Sequence, residues 1–409
     1  MQNHLSYRWP TGPSATPPAP PQRPRRRLGR AGRITLIVLG CAAGLAGLIL
    51  AAFWGMMFLA GHVIGGQESS APRPSYSISR PQEEDWSPDE LPWGEPDPEA
   101  ELSLSRSSQQ VLTPQEIYQS VLPSVVCVQA SRGGTYSVGS GVIASADGYI
   151  ITNYHILQRG TDISVMLLSN QLVYDAVLVG YDEELDLAVL KVDAPDLTPA
   201  RLADSDQLQV GDQVYAIGNP MGYLYGTMTE GIVSSLAREV EVSDHDMTLI
   251  QTSAALNSGN SGGALVDVYG QVVGITSAKI TGVSDDVVTE GIGLAIPITD
   301  SLPFLNHIIQ TGETCRPALG VMCSIYTTGT RQQVVITKIT PGSPAEGILQ
   351  VDDQVVAVNG RQVDTFYQLS RALNAAGVGG TVELTVLRDG DEITVSVTLY
   401  DSLTAGTGS

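Results

Sequence analysis

Hydrophobic and polar positions divide the chain into four textures. Residues 34–64 contain no charged side chain. Their first 27 residues, 34–60, would form a helix about 40 Å long, enough to cross a bilayer. Residues 65–108 show no period and hold ten acidic side chains, three Arg and seven Pro among many Ser, so 65–110 reads as a disordered acidic linker. From Val111 the pattern changes. A helical stretch at 114–122 is followed by short apolar runs at 125–130, 137–144, 149–152, 163–168, 172–179, 187–192, 213–217, 227–236, 249–252, 263–267, 272–277 and 291–296. Gly, Asp and Asn separate them, as at Asp147-Gly148 and Tyr269-Gly270, which predicts strands joined by tight turns. So many short strands suggest a sandwich or a pair of barrels, closed by a helix at 298–310. Beyond residue 312 the runs 334–339, 353–359, 381–388 and 392–399 read as strands. A helix at 365–376 lies among them, with Asp364 as its N-cap.

Charge gives these textures a direction. The chain of 409 residues has a formal charge of −21, but residues 1–64 hold seven Arg and no acid. The remaining 345 residues hold fifteen basic and all 43 acidic side chains, a net −28. A basic, Pro-rich tail (1–33) directly before an uncharged run (34–64) predicts a single-pass membrane anchor with a cytoplasmic N-terminus and everything C-terminal outside the cytoplasm. The run is too long for the apolar core of a cleaved signal peptide. The acidic body argues against a nucleic-acid partner, which would demand a basic face. Five His and four Cys, all scattered, suggest neither a metal cluster nor a disulfide-stapled scaffold. All four Trp precede residue 110, so the globular region should have a Trp-free core.

Candidate chemistry sits in three segments. Gly259-Asn260-Ser261-Gly262-Gly263 could expose a Ser hydroxyl on a tight turn, with backbone N–H groups facing a developing oxyanion; alone it reads equally well as an ordinary loop. In Tyr149-Ile150-Ile151-Thr152-Asn153-Tyr154-His155 a strand delivers His155 just past its end, a position suited to a general base. His245 reads as part of a solvated acidic turn and His307 as helix surface. In the run from Asp182 to Lys191, Asp186 opens an apolar strand and could orient a His, or could merely cap the strand. Asp182, Glu183 and Glu184 read as exposed.

Taken in order, these residues resemble the HtrA (DegP-like) family of serine proteases. Its G-S-G-V-I strand stands here as Gly139-Ser140-Gly141-Val142-Ile143. Its T-N-x-H stands as Thr152-Asn153-Tyr154-His155 and its D-L-A-V-L-K as Asp186-Leu187-Ala188-Val189-Leu190-Lys191. G-N-S-G-G is Gly259 to Gly263, the G-I-G-F-A-I-P run is Gly291-Ile292-Gly293-Leu294-Ala295-Ile296-Pro297, and Gly218-Asn219-Pro220 also matches. The resemblance implies a mostly β fold: a chymotrypsin-like double β-barrel (111–312) followed by a PDZ domain (313–401) and a short disordered tail (402–409). It implies Ser261 as nucleophile, His155 as general base and acid, Asp186 as the His orienter, and the N–H groups of Gly259 and Ser261 as the oxyanion hole. Gly291, Ile292, Gly293, Leu294 and Ala295, with the loop 255–260, would line a shallow specificity pocket for small aliphatic residues. Two departures flank that loop: Ser253 replaces the usual Asp and Ser258 the usual Pro. The short 131–136 segment leaves no room for the long regulatory loop of some relatives.

The C-terminal unit resembles the PDZ domain of the same family through Ala318-Leu319-Gly320-Val321 and Pro341-Gly342-Ser343-Pro344-Ala345. By that resemblance the N–H groups of Leu319, Gly320 and Val321 would hold the carboxylate of a peptide C-terminus, with the helix at 365–376 as the other groove wall. Cys315 and Cys323 flank this turn, and their spacing leaves a disulfide open. The expected activity is ATP-independent endoproteolysis of misfolded or exposed polypeptides, with no metal or organic cofactor, by a membrane-anchored homotrimer. The alternative is a non-proteolytic, PDZ-bearing chaperone or stress sensor with a latent site.

Overall fold

A computed structural model describes residues 86–106, 110–219, 226–242, 245–277, 292–328 and 331–405. The basic tail and the uncharged run 34–64 lie outside these residues. Among the described residues no helix is long and apolar enough to cross a membrane.

Strands β1 (Val125–Arg132), β2 (Thr135–Ile143), β3 (Tyr149–Thr152), β4 (Asp162–Leu167), β5 (Val173–Asp182) and β6 (Leu187–Val192) close a barrel in the order β1-β2-β3-β6-β5-β4. A second barrel, β10-β11-β12-β9-β8-β7, is closed by β7 (Gln213–Gly218), β8 (Thr227–Val242), β9 (His245–Thr252), β10 (Ala264–Val266), β11 (Val272–Ser277) and β12 (Gly293–Pro297). Successive side chains of a strand point to opposite faces. In many of these strands one face fills a barrel and the other fills the space between the barrels. Val126, Val128, Ile150 and Leu190 belong to the core of the first barrel, whereas Val125, Ile151 and Val189 join Ile217, Leu249 and Ala264 in the core between the two. Burial on both sides explains why these strands read as continuous apolar runs instead of alternating ones. Strands β8 and β9 run longer than their apolar patterns predict, joined by a ladder that reaches Val242 and His245 and bulges at Ser235.

Helix α1 (Pro114–Val121) starts at a capping box, Thr113 with Glu116, and Pro114 occupies its first turn. The short α2 (Tyr154–Leu157) follows β3, and α3 (Ile298–Thr311) closes the second barrel, ending at Gly312 with φ +79°.

The linker expectation for 65–110 gives way over 86–106. Leu91 and Leu102 are buried, Gly94 donates its N–H to Leu178 O (2.8 Å), and Asn306 of α3 holds both backbone groups of Leu102. The segment forms a strap on the barrels because its few apolar side chains find grooves there, despite the Pro-rich, acidic composition around them. Among the described residues the buried core holds no Trp, as expected, but one Trp docks on it from the strap. Trp86 packs against the core of the first barrel and donates its indole N–H to Gly160 O at 2.8 Å.

The C-terminal unit is a sheet ordered β14 (Val321–Thr328), β15 (Arg331–Ile339), β16 (Gln354–Val358), β18 (Thr381–Arg388) and β19 (Asp391–Thr398). β17 (Arg361–Gln362) pairs with β16, and β13 (Pro317–Ala318) pairs separately with β20 (Tyr400–Asp401). Helix α4 (Phe366–Ala376) buries Leu369 and Leu373. Its N-cap is Thr365, in a capping box with Gln368, and not Asp364: the Thr365 hydroxyl accepts the Gln368 N–H. Cys315 and Cys323 are free thiols, so the disulfide left open by their spacing is not formed.

Candidate active site

Strand β3 ends at Thr152, buried Asn153 follows it, and α2 carries His155 from there. Tyr154 anchors this turn, its ring stacked on Tyr181 at 4.3 Å. Asp186 stands opposite, 4% exposed, with φ +52°, a left-handed backbone that Asp adopts more readily than most residues. Its carboxylate grips His155 twice. Oδ2 lies 2.7 Å from Nδ1, and Oδ1 accepts the His155 backbone N–H at 3.0 Å. Its carbonyl oxygen accepts the Asn153 side-chain amide at 2.8 Å. A carboxylate on Nδ1 keeps the ring proton there and leaves the Nε2 lone pair for a nucleophile. Ser277, at the end of β11, points its Oγ at Asp186 Oδ2 from 3.4 Å. Nothing local in the sequence marks that residue.

The Ser261 turn is fixed from behind. Gly259 and Gly262 hold φ of +97° and +80°. Each carbonyl from 259 to 261 is taken up by the barrels: Gly259 O by Ser140 Oγ (2.7 Å), Asn260 O by Thr276 Oγ1 (2.6 Å) and Ser261 O by Ser140 N–H (2.7 Å). A Cβ on Gly262 would lie 2.1 Å from Ser140 O and 2.6 Å from Thr152 Oγ1, so only glycine lets this turn settle onto β2 and β3. Gly139 shows where the two halves meet, since a Cβ there would sit 2.3 Å from Ile156 Cδ1 and 3.1 Å from Ser261 O. The Ser261 turn and the His155 turn thus close on one glycine. Asn219 extends the support: its N–H donates to Ser140 Oγ (2.8 Å) and its side-chain amide to Cys127 Sγ (3.0 Å). Burial pushes the Cys127 thiol above its ordinary pKa, against the opposing Asn219 hydrogen bond.

Of the expected specificity pocket, Gly291 lies outside the described residues, Ile292 is at the surface, and Gly293, Leu294 and Ala295 are buried in β12 beside β9. A Cβ on Gly293 would meet Ala254 O at 2.8 Å and Leu256 Cγ at 3.0 Å, which places this strand against the loop that follows β9. Ser253 is tied to β8, its hydroxyl accepting the Ile232 N–H at 3.0 Å. In the C-terminal unit Leu319 is buried, Gly320 has φ +85°, and Val321 opens β14. Among the described residues β14 is the terminal strand of its sheet and pairs only with β15, and Met322, Ile325 and Tyr326 on it are exposed.

One expectation near the site is overturned. Asp182 is fully buried, not exposed, because Arg316, distant in sequence, reaches it. Burial alone would raise its carboxyl, but the hydrogen bonds and charge of Arg316, with Thr314 and the Leu185 N–H, hold it below the ordinary carboxylate range. No cluster of three or more His, Cys, Asp or Glu side chains suited to a metal exists among the described residues. The arrangement offers a hydroxyl on a rigid turn and an oriented imidazole beside it, the parts needed for acyl transfer.

The chain matches a family model described as a trypsin-like peptidase domain over residues 139–275, and one described as a PDZ domain over residues 317–399. It is 36% identical over 321 residues to a serine protease Do-like HtrA of Lactobacillus helveticus, covering 73% of this chain and 77% of that protein. It is 35% identical over 277 residues to the periplasmic serine endoprotease DegP of Escherichia coli K12, covering 65% of this chain and 57% of that protein. Among solved structures it is similar to the HtrA-type protease AlgW with tripeptide, at 32% identity and a TM-score of 0.60, over 71% of this chain and 97% of that one.

Proposed function

The chain belongs to the HtrA family of serine proteases, with a trypsin-like peptidase domain followed by a PDZ domain, and from that premise we propose that it cleaves polypeptides by acyl transfer at Ser261. His155 Nε2 takes the Ser261 Oγ proton as that oxygen attacks the scissile carbonyl. Asp186 stabilises the imidazolium that forms, and the N–H groups of Gly259 and Ser261 receive the oxyanion. His155 returns the proton to the leaving amine, and water then releases the acyl group by the same route. The observation that carries this reading is the double grip of Asp186 on His155, 2.7 Å to Nδ1 and 3.0 Å from the backbone N–H. A carboxylate that merely capped a strand would have no reason to meet both.

The substrates in this reading are misfolded or exposed polypeptides, with small aliphatic residues before the scissile bond. The open edge of β14 takes a peptide C-terminus as an added strand, its carboxylate on the N–H groups of Leu319, Gly320 and Val321. Exposed Met322, Ile325 and Tyr326 offer that strand apolar contact. The uncharged run 34–64 anchors the chain in a cell membrane with the basic tail inside and both folded units outside, assembled as a trimer.

Casein digestion by the full chain tests the catalytic reading. Ser261→Ala should lower kcat by a factor on the order of 10⁶ if the triad works as a unit. Equal digestion by both proteins would overturn it and leave the non-proteolytic PDZ-bearing chaperone or sensor in its place.

A further inference from the structure

The turn 182–186, between β5 and β6, carries the carboxylate that grips His155. Its last residue, Asp186, holds the left-handed backbone already noted. Such a conformation persists only where the surroundings over-determine it. Two hydrogen bonds inside the turn do part of this: Asp182 Oδ1 accepts the Leu185 N–H at 2.9 Å, and the Asp186 N–H donates to Glu183 O at 3.2 Å. The first depends on Asp182, a carboxylate with no exposed surface at all. A charge so buried demands a partner, and the opening of the C-terminal unit supplies one.

Arg316 reaches across with all three of its guanidinium nitrogens. Nη2 donates to Asp182 Oδ1 (2.7 Å), Nη1 to Asp182 Oδ2 (2.5 Å) and Nε to Glu184 Oε2 (2.8 Å). One planar group therefore holds the first and third residues of a five-residue turn. Its own backbone is fixed to the far end of the C-terminal unit: the Arg316 N–H donates to Asp401 Oδ1 (2.9 Å), and its carbonyl accepts the Ser402 N–H (3.0 Å). The guanidinium also lies over the Phe304 ring of α3, 5.5 Å from its centroid.

We infer that Arg316 is a positioning residue for the triad, aiming Asp186 at His155 through its forked hold on Asp182. The inference rests on the triad reading above and gives the C-terminal unit a part in the protease site. Without Arg316, Asp182 would be a buried, uncompensated charge. The turn would open to hydrate it, Leu185 would lose its acceptor, and Asp186 would shift from the imidazole. A displacement of under an ångström suffices, because proton transfer is sensitive to the angle at which Nε2 meets the nucleophile.

The test uses the full chain and an internally quenched peptide with Val before the scissile bond. Arg316→Gln should lose about ten-fold in kcat with KM unchanged, a split that general loosening of the fold would not produce. Asp182→Asn should lose a similar amount, and the double variant no more than either single one, since both act through one contact. Arg316→Lys should recover part of the loss, a point charge replacing the fork. Wild-type kcat in Arg316→Gln with an unchanged circular dichroism spectrum, or losses that multiply in the double variant, would overturn the inference. Should Arg316→Gln not fold, Glu184→Gln removes only the half-exposed arm. It should lower kcat about two-fold, and an unchanged kcat there counts against the inference as well. A wild-type protein that leaves the peptide intact would instead overturn the triad reading itself.

Discussion

Gly259 and Gly320 both sit at positive φ, +97° and +85°, and each opens a turn that meets a peptide in the reading above. Their supports differ. Around Gly259 every carbonyl of the turn from 259 to 261 is occupied by a hydroxyl or amide of the two barrels, within 2.6–2.7 Å. Around Gly320 one carbonyl is shared by the Thr340 N–H (2.8 Å) and Ser343 Oγ (3.2 Å), and the strand that follows presents exposed Met322, Ile325 and Tyr326. In that reading the difference follows the two proposed tasks. Oxyanion donors must be in place before charge develops, since rearranging them during reaction would raise the barrier. A strand that captures varied peptide ends gains from side chains that can repack, and Met does so readily.

Alanine in place of either neighbouring glycine separates the two. Gly262→Ala forces a Cβ to within 2.1 Å of Ser140 O at a residue with φ +80°. It should cost on the order of 10²–10³ in kcat on casein, as loss of an oxyanion donor does. Binding of a C-terminal apolar peptide, followed by fluorescence anisotropy, should not change. Gly320→Ala places a Cβ 2.1 Å from Ser343 Cβ. It should weaken the same peptide about ten-fold, one lost anchoring contact, while casein turnover stays within about two-fold. If Gly320→Ala lost turnover as severely as Gly262→Ala, the two turns would not be the separate devices described.

Acid should produce the smallest effect and touch both units. Burial would raise the carboxyls of Asp182 and Asp353, but the paired arginines, Arg316 and Arg388, outweigh it and hold both below the ordinary range. A carboxyl depressed in the folded state contributes stability above its unfolded pKa, about 3.9, and loses it as pH falls through the lower folded value. Thermal midpoints followed by circular dichroism should therefore hold near neutrality and drop by several degrees on acidification below about pH 4. In Asp353→Asn the acid-induced drop should shrink, although its midpoint at pH 7 is already lower. An identical acid response in the variant would remove Asp353 from the account.

Much of this was legible in the chain itself. Strands β1, β3 and β6 could be read because both faces of each are largely buried, so 125–130, 149–152 and 187–192 stand out as unbroken apolar runs. His155 stood out just past β3, Asp186 just before β6 and Ser261 in a glycine-rich turn. The residues alone left Asp186 and Ser261 open between a site and an ordinary cap or loop, and it was their shared order with the family motifs that joined them. The strap at 86–106 escaped notice because its surroundings are polar and only isolated residues, Trp86, Leu91 and Leu102, dock. Ser140 stood out only as a letter of a strand motif and Thr276 not at all, because any short hydroxyl looks the same in a strand, whatever carbonyl it meets. The pairing of Asp182 with Arg316 was hidden for another reason: it joins residues 134 apart, and isolated charges carry no period.

The φ of +52° at Asp186 also limits what can replace it over time. Among non-glycine residues only Asn and Asp occupy that backbone region with ease, so drift at this position has very few neutral steps available. Of the residues the backbone tolerates, Gly offers nothing to the imidazole, and Asn would present an amide hydrogen or force the ring into the wrong tautomer. Two unrelated filters, one steric and one electronic, thus overlap on a single amino acid. A saturation library at this codon should return almost nothing but Asp under selection for turnover, and Asn and Gly should join it when selection is for folding alone.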